Sequence, residues 1–179
     1  DQTGNVNVAF SLDATQGGTS FSDADGDTLS YVFTGLPAGL SGSADGQVSG
    51  TPTAEAEVNV GVTAFDGNGN SVSTFFALSV GPEPNYAPAA DAGADQTAQA
   101  GDAITLDATG SSDANGDTLS YAWAITSQPD GASLILTDGG TASPGFSSLV
   151  PGDYVFTVPV SDPEGLSDTD TVTVTLGNT

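Results

Sequence analysis

The sequence has no basic side chain: its 179 residues include 23 Asp and Glu but no Lys, Arg or His. In an average domain about a quarter of the residues are charged, with both signs present. A chain of this length would therefore be expected to contain roughly 20 basic residues. Without them no salt bridge between side chains can form. The net charge of −23 also repels polyanions, which excludes nucleic acid and anionic membrane surfaces as partners.

Cysteine is absent as well, so neither disulfides nor thiol catalysis is available. Only carboxylate pairs, of the kind used by glycosidases, remain as general acid and base. No aspartic-protease Asp-Thr-Gly, phosphate-binding loop or dinucleotide fingerprint occurs in the sequence. We therefore expect that the chain is not an enzyme.

Long apolar runs are missing too. A transmembrane helix needs about 20 consecutive apolar residues, and no run of that kind or recognisable signal peptide is found. We expect no membrane insertion. Asp1 follows a removed signal in one interpretation, and in the other the sequence is an excerpt of a longer chain.

One stretch occurs twice. Residues 23–31 read DADGDTLSY and residues 113–121 read DANGDTLSY, so the sequence predicts two domains built on a similar plan. Three prolines in residues 82–88 cannot pair in a sheet and favour an extended, semi-stiff connector. We place domains at residues 1–81 and 89–179, with 82–88 as a Pro-rich linker.

The hydrophobic pattern predicts an all-β fold. Apolar residues alternate with polar ones in short runs bounded by Gly, Pro, Asn and Asp, and no helical period exceeds one turn. About seven short strands per domain, with frequent turns, are typical of an immunoglobulin-like β-sandwich. The predicted strands are centred on residues 6–12, 29–33, 58–64, 72–80, 104–108, 119–125, 134–136, 154–160 and 172–176.

The repeated stretch is also the candidate metal site. Neighbouring carboxylates about 6 Å apart repel by on the order of 1–3 kcal/mol, and oxygen ligands without imidazole or thiolate favour calcium over zinc or copper. In an immunoglobulin-like sandwich the repeated loop and the loop between the last two strands lie at the same end. The predicted Ca²⁺ ligands are Asp23, Asp25, Asp27, Asp66 and Asp1 in the first domain, and Asp113, Asn115, Asp117, Asp162, Asp91, Asp95 and Asn85 in the second.

A solvated acidic surface is the alternative interpretation of these carboxylates. Scattered acids would support it, whereas the acids of this chain concentrate in turns with Gly and Asn. Part of the charge is expected to be plain solubilising charge. If the second cluster binds calcium beside the linker, the ion would stiffen the connection between the domains.

Two families are similar to parts of this sequence. The runs LPAGL at 36–40, GQVSGTPT at 46–53 and AFDGNG at 64–69 resemble the dystroglycan-type cadherin-like domain, an immunoglobulin module, over essentially residues 1–80. The runs AGADQT at 92–97, YAW at 121–123 and PGDY at 151–154 resemble a PKD-type domain. The Trp-Asp-Phe-Gly-Asp-Gly run of common PKD members is replaced here by Trp123-Ala124-Ile125.

These resemblances imply an extracellular or cell-surface bacterial protein in which such modules form spacers, adhesive stalks or fibres. Cadherin-like members commonly bind calcium at the domain end, and the expected partners are neighbouring modules or identical subunits, arranged head-to-tail or laterally. The alternative function is a carbohydrate-binding accessory module of a secreted polysaccharide-degrading enzyme, which would need a planar row of exposed aromatic side chains.

Four aromatic positions carry further expectations. Trp123 occupies the central-strand position of the second domain and is predicted to be core. Tyr154, eight residues before Asp162, predicts a tyrosine corner that the first domain lacks, because Val58 stands eight residues before Asp66.

Phe65 and Phe75 stand at alternating positions of their strands that are otherwise polar and are expected to face away from the core. They are either locally packed or part of a lateral surface for self-association.

Overall fold

The computed structural model describes residues 1–16 and 20–178. The chain divides into two compact units, Asp1–Pro84 and Asn85–Thr179, called domain 1 and domain 2 below. The division falls within the predicted Pro-rich linker. The described residues form an all-β, immunoglobulin-like fold without a helix, and therefore contain no helix of the length and apolar composition that crossing a membrane requires.

Domain 1 is built from a four-stranded and a three-stranded sheet. Its strands are β1 (Gln2–Asn5), β2 (Phe10–Asp13), β3 (Ser30–Thr34), β4 (Leu40–Gly42), β5 (Gln47–Gly50), β6 (Ala56–Phe65) and β7 (Ser71–Gly81). One sheet has the order β1-β7-β6-β3, with β1 parallel to β7, and the other has the order β2-β5-β4. β6 and β7 form the long hairpin that carries most of the core.

The buried residues of the β6–β7 hairpin fall into two clusters. Val62 packs with Phe21 and Tyr31, and Val60 packs with Leu78. On the opposite face of the hairpin, Phe75 is 70% exposed.

Phe75 lies directly across from Gly61, and its ring covers the place where a side chain would stand on that glycine. The expectation that Phe75 is on the outward phase of its strand is confirmed. Part of its role is local packing.

The strand predicted over residues 6–12 is wrong in its first half. The chain leaves β1 after Asn5, turns at Asn7 with φ of 59°, and joins the other sheet at Phe10. Asn tolerates this left-handed conformation better than most residues. The apolar alternation continues through the turn and hides it from the sequence pattern.

Domain 2 has five strands in its larger sheet and two in the smaller. They are β8 (Gln96–Gln99), β9 (Ile104–Thr105), β10 (Ser120–Tyr121), β11 (Ala124–Ser127), β12 (Gly145–Phe146), β13 (Gly152–Ser161) and β14 (Ser167–Gly177). The larger sheet has the order β10-β13-β14-β8, with β11 also paired to β13, and the smaller sheet joins β12 and β9.

One contiguous core fills domain 2. Trp123, Tyr154 and Phe156 belong to the same buried cluster, so the prediction that the only tryptophan is core is confirmed. The Tyr154 hydroxyl donates a hydrogen bond to the Val150 carbonyl at 2.8 Å and lies 2.7 Å from the Ser148 hydroxyl. The predicted tyrosine corner is therefore confirmed.

Of the predicted strands of domain 2, one is shortened, one is interrupted and one is absent. The alternation over residues 104–108 gives only β9, and that over 119–125 is interrupted, because the Trp123 N–H donates to the Gly139 carbonyl instead of continuing along β13. Residues 134–136 form no strand, although Thr137 bridges Gly145. Apolar alternation reports which face is buried, not which partner accepts each backbone hydrogen bond.

Candidate metal sites at the acidic turns

Strand register brings the acidic turn of each domain to the strand-ending Asp. In domain 1, Ser30 pairs with Phe65, so the turn that ends at Asp27 lies beside Asp66. In domain 2, Ser120 pairs with Ser161, which places the turn ending at Asp117 beside Asp162.

The turns of domain 1 are closed by their own carboxylates. The Asp23 carboxylate accepts the N–H groups of Asp25 and Asp27 at 2.8 and 3.1 Å. Gly26 between them has φ of 80°, which favours glycine. In the next loop Asp66 accepts the N–H groups of Asn68 and Asn70 at 2.7 and 3.0 Å.

Asparagine amides donate hydrogen bonds to two of the carboxylates at this end of domain 1. The Asn70 amide donates to Asp66 at 2.6 Å, and the Asn68 amide donates to Asp27 at 2.6 Å across the two loops. The Asn70 amide and the loop N–H groups hold the pKa of the Asp66 carboxyl below its ordinary value. Asp23 and Asp66 both line a cavity of about 160 Å³.

The acidic turn of domain 2 has the same backbone hydrogen bonds but a different environment. The Asp113 Oδ1 atom accepts the N–H groups of Asn115 and Asp117 at 2.7 and 3.3 Å. Its Oδ2 atom is buried and has no hydrogen-bond partner among the described residues. Buried polar atoms of native proteins are almost always paired, so this oxygen has unused capacity to bind a ligand.

The strand-ending Asp162 is buried, with 6% of its surface exposed. Its carboxylate accepts the N–H groups of Gly165 and Leu166 at 2.6 and 2.8 Å, and the Asn85 amide at 2.7 Å. Burial raises the pKa of this carboxyl, but the hydrogen bonds from Asn85, Leu166 and Gly165 outweigh burial, and the pKa lies below its ordinary value.

The linker end of domain 2 thus reaches both loops. Asn85 donates to Asp162, and the next residue, Tyr86, donates its N–H to the Asn115 side-chain oxygen at 2.9 Å. Asn85, Asn115 and Asp162 are among the predicted ligands. Asn85 and Tyr86 thus link the Asp162 turn to the turn that contains Asp113 and Asp117.

Asp91 and Asp95 are placed further along the same edge of the domain. The Asp91 carboxylate accepts the Gly93 N–H at 2.8 Å, and the Asp95 carboxylate accepts the Thr173 N–H at 2.7 Å. Thr173 lies six residues into β14, about 20 Å from its first residue at roughly 3.3 Å per residue. The structure therefore does not bring Asp95 to the Asp162 turn.

Asp1 has the same position in domain 1 that Asp95 has in domain 2, directly before the short parallel strand. Gln2 pairs with Leu78, seven residues into β7, so Asp1 is about 20 Å from the Asp66 turn at the same rise per residue. The structure does not place it with Asp23 and Asp66.

The fit of calcium to these sites differs between the domains. Across residues 1–16 and 20–178, no three acidic side chains converge closely enough to hold an ion in the arrangement described. In domain 2 the unpartnered Asp113 Oδ2 atom is an oxygen ligand of the kind that a hard cation takes, and the Asp162 carboxylate of the adjacent turn already accepts the Asn85 amide. In domain 1 the amides of Asn68 and Asn70 donate to Asp27 and Asp66, and no buried carboxylate oxygen among the described residues of this domain is without a partner.

Several contacting residues were missed from the sequence. Asn68 and Asn70 were not among the predicted site residues, although their amides pair with carboxylates. Asp168 and Asp170 on β14 accept the N–H groups of Ala90 and Ala92 at 3.0 and 2.8 Å. The alternation of Asp with Thr in β14 was the signal that could have revealed them.

Comparisons with known proteins support two distinct domain families. Residues 1–81 match the family model described as "Putative Ig domain", He_PIG. Residues 92–176 match the family model described as "K319L-like, PKD domain". The mouse (Mus musculus) dyslexia-associated protein KIAA0319-like protein is 32% identical over 121 residues. The match covers 67% of this chain and 11% of that protein, so the chain spans only a small part of this relative.

Two solved structures are similar to about half of the chain. The PKD domain from the KIAA 1837 protein is 34% identical, with a TM-score of 0.43, over 50% of this chain and 85% of that one. The PKD domain of human KIAA0319 is 26% identical, with a TM-score of 0.45, over 51% of this chain and 81% of that one.

Domains of these two kinds are typically non-catalytic modules of extracellular and adhesion proteins. The two family matches do not overlap, and each falls within one of the compact units of the fold. The chain is therefore an immunoglobulin-like domain of the He_PIG family followed by a PKD domain of the K319L-like family.

Proposed function

We propose that the chain is a calcium-stabilised structural or adhesive segment, a stalk or fibre subunit, of an extracellular bacterial surface or matrix protein. The modular, adhesion-type families of both domains support the structural role. The bacterial origin rests on the resemblance of residues 1–80 to modules of bacterial surface proteins. Its expected partners are neighbouring modules or identical subunits.

The buried, unpartnered Asp113 Oδ2 atom is the observation that carries the calcium proposal. Leaving a buried acceptor unpaired costs about 1–3 kcal/mol, and more for a charged group. The chain contains no basic side chain to pair with it. A calcium ion, which takes six to eight oxygen ligands, would satisfy this oxygen and the neighbouring carboxylates together.

The proposed ligands in domain 2 come from three segments. Asp113, Asn115 and Asp117 belong to the acidic turn, Asp162 directly follows β13, and Asn85, whose amide nitrogen donates to Asp162, belongs to the linker end. An ion bound there would tie the linker end of the domain to two loops that are distant in sequence. The linker would then have less freedom to move against domain 2.

Domain 1 offers a second, weaker site. Asp23 and Asp66 line one cavity, with Asp25 and Asp27 in the same turn. Binding there must displace the Asn68 or Asn70 amide from its carboxylate. Asn85 must likewise be displaced from Asp162 in domain 2, but we expect lower affinity in domain 1, because none of its described carboxylate oxygens is buried without a partner.

Calcium titration of the intact chain, by calorimetry and thermal unfolding, tests the proposal. Extracellular calcium modules bind with dissociation constants of about 10⁻⁴ to 10⁻³ M. At 100 times the dissociation constant, binding adds about 2.7 kcal/mol to the free energy of unfolding. Asp113→Asn should abolish most of the gain in domain 2.

The matched control is Asp23→Asn, the same change at the equivalent position of domain 1, which should leave the gain in domain 2 intact. Magnesium at the same concentration separates a specific effect from general screening of charge. Identical unfolding in calcium and in chelator would overturn the calcium proposal and leave the domain families unaffected.

The carbohydrate-binding alternative has little aromatic surface to use. Trp123 is buried, and the exposed Phe75 covers Gly61. Phe65, 39% exposed, lies on the same sheet face. A clear hit on a glycan array that is lost in Phe75→Ser would favour this alternative.

A further inference from the structure

Two asparagines of this chain, Asn68 and Asn115, are followed by glycine, while three others are followed by valine. An asparagine loses its side-chain amide when the backbone nitrogen of the next residue attacks its Cγ atom. Glycine leaves that attack unhindered, because it has no side chain and a permissive backbone, whereas a stiff β-branched residue such as valine obstructs it. The two Asn-Gly pairs are therefore the reactive ones.

The Asn68-Gly69 pair lies in the loop between β6 and β7, where the backbone has room to rotate. Asn68 is exposed. Gly67 and Gly69 have φ of 78° and 105°, and a Cβ atom at either glycine would lie in open space. The neighbouring segments thus leave room for the rotation that brings the Gly69 nitrogen to the Asn68 Cγ atom.

Two carboxylates stand at the two proton transfers of this reaction. The Gly69 N–H must lose its proton, and it donates a hydrogen bond to the Asp66 carboxylate, as one of the contacts that lower the pKa of that carboxyl. The Asn68 Nδ2 atom must leave as ammonia, and it donates to the Asp27 Oδ2 atom at 2.6 Å. A carboxylate placed at the leaving nitrogen stabilises the positive charge that develops there.

We propose that Asn68 is a modification site, at which the folded chain converts its own side-chain amide to a carboxylate. The Gly69 nitrogen loses its proton and forms a bond with the Asn68 Cγ atom. The Cγ–Nδ2 bond breaks, and the NH₂ group leaves as ammonia, with one proton gained for the one that Gly69 loses. Water then opens the succinimide ring to give aspartate or isoaspartate, so water is the only co-reactant.

The Asn115-Gly116 pair of domain 2 is held in a different way. The Gly116 N–H donates to the Asp113 backbone carbonyl at 3.2 Å, which is a poorer proton acceptor than a carboxylate. Asn115 is half-buried, and its Oδ1 atom accepts the Tyr86 N–H at 2.9 Å. We therefore expect Asn68 to react faster than Asn115, although both precede glycine.

Deamidation of Asn68 replaces a hydrogen-bond donor with a charge. The Asn68 amide joins the loop after β6 to the acidic turn, and a carboxylate in its place would repel the Asp27 carboxylate. The chain contains no basic side chain to offset the added charge. The two loops of domain 1 should therefore separate as the chain ages. This consequence follows from the amide alone and is independent of the calcium proposal.

Peptide mapping by mass spectrometry tests the proposal. The intact chain is kept at neutral pH in chelator and then digested with pepsin in acid, since a chain without Lys or Arg gives trypsin nothing to cut. Asn68 should deamidate at least about ten-fold faster than Asn115, a modest part of the roughly 10²–10⁴-fold that positioned acid and base groups contribute. In urea, where both pairs are released from the fold, the two rates should become similar. Equal rates in the folded chain would overturn the proposal.

A substitution of the carboxylate at the leaving nitrogen tests its part in the reaction. Asp27→Asn keeps the shape of the side chain and removes its charge, and should slow deamidation of Asn68 several-fold. The matched control is Glu55→Gln, which removes an exposed charge next to the other end of β6 and should leave the rate unchanged. Circular dichroism shows whether both variants fold. An unchanged or faster rate in Asp27→Asn would contradict assistance by this carboxylate.

Hydrogen exchange measures the consequence for the loops. Asn68→Asp copies one of the two products and should speed exchange of the Asp27 N–H, which donates to the Asp23 carboxylate. Asn59→Asp adds the same charge at an exposed position within β6 and should leave that exchange unchanged. Equal exchange in the two variants would show that the loops stay together after deamidation, against the proposal.

Discussion

The two acidic turns share almost the same sequence and differ in what surrounds them. Asp23 of domain 1 lies in an open turn whose neighbouring carboxylates are paired with asparagine amides. Asp113 of domain 2 has a buried oxygen without a partner among the described residues, while the buried Asp162 of the adjacent turn accepts the Asn85 amide. The difference comes from Asn85 and Tyr86, which lie against both loops of domain 2. The value of the motif as a metal site thus depends on what packs against it.

The hydrophobic core of domain 2 is also more continuous than that of domain 1. Domain 2 has one continuous buried cluster, while domain 1 has separate clusters around Val62 and Val60. Domain 2 also has the Tyr154 corner, whereas domain 1 has Val58 at the corresponding position. We therefore expect domain 2 to be the more stable domain without metal.

The largest expected effect is on the continuous core. Phe156→Ala removes a fully buried ring whose centroid lies 4.8 Å from that of Phe146, and should lower the free energy of unfolding of domain 2 by about 3–5 kcal/mol. Urea unfolding followed by Trp123 fluorescence reports this domain alone, because the chain has one tryptophan.

The control for Phe156→Ala is Ile135→Ala at a side chain that is 86% exposed, which should change stability by no more than about 0.5 kcal/mol. A comparable loss in both variants would show that domain 2 is not organised around one core.

A smaller effect is expected at the tyrosine corner. Tyr154→Phe removes the donor to the Val150 carbonyl and leaves the Ser148 hydroxyl without this partner. The free energy of unfolding should fall by about 1–2 kcal/mol, the cost of leaving a buried acceptor unpaired. Tyr86→Phe, at a side chain that is 48% exposed, is the control. Equal effects of the two substitutions would remove the corner as a reason for the difference between domains.

The smallest expected effect is the one that the Asn85 and Asn70 amides have on the pKa of the carboxyl groups they bind, which a carboxyl titration detects. The pKa of Asp162 and Asp66 lies below the ordinary value of 3.8. The unfolded chain therefore takes up protons first on acidification. The stabilisation is complete above about pH 3.8 and is lost as the pH falls through the folded pKa. Carbon-13 NMR of the carboxyl groups measures both values.

Replacing each amide donor with alanine shows how far the pKa of Asp162 and of Asp66 depends on that donor. Asn85→Ala should raise the pKa of Asp162 more than Asn70→Ala raises that of Asp66, because the buried Asp162 then keeps the opposing effect of desolvation. Acid unfolding of domain 2 should move to higher pH in Asn85→Ala. An equal shift in both variants would mean that burial does not distinguish the two turns.

Much of the fold followed from local pattern. The long strands around Val60, Leu78 and Phe156 have an apolar residue at every second position and were predicted close to their observed extent. The turn at Asn7 and the break at Trp123 were missed, because a change of hydrogen-bond partner leaves the alternation of apolar residues intact. Short strands are where this ambiguity matters most.

The predicted site residues were likewise placed correctly in part. The pairing of each acidic turn with its strand-ending Asp follows from the repeat and the domain plan. Asp1 and Asp95 were grouped with these turns, but parallel pairing of β1 and β8 starts far along the partner strand. Register between segments distant in sequence is not encoded in the composition of either segment.

The sequence by itself determined the all-β class, the two-domain plan, the lack of any positive side chain and the oxygen-only chemistry of the turns, since these follow from residue type and period. Only the tertiary structure decided which carboxylate oxygen is buried without a partner and which carboxylates accept hydrogen bonds from the linker end of domain 2. Both depend on how donors and acceptors from segments distant in sequence meet, as Asn85 meets Asp162 and Ala90 meets Asp168.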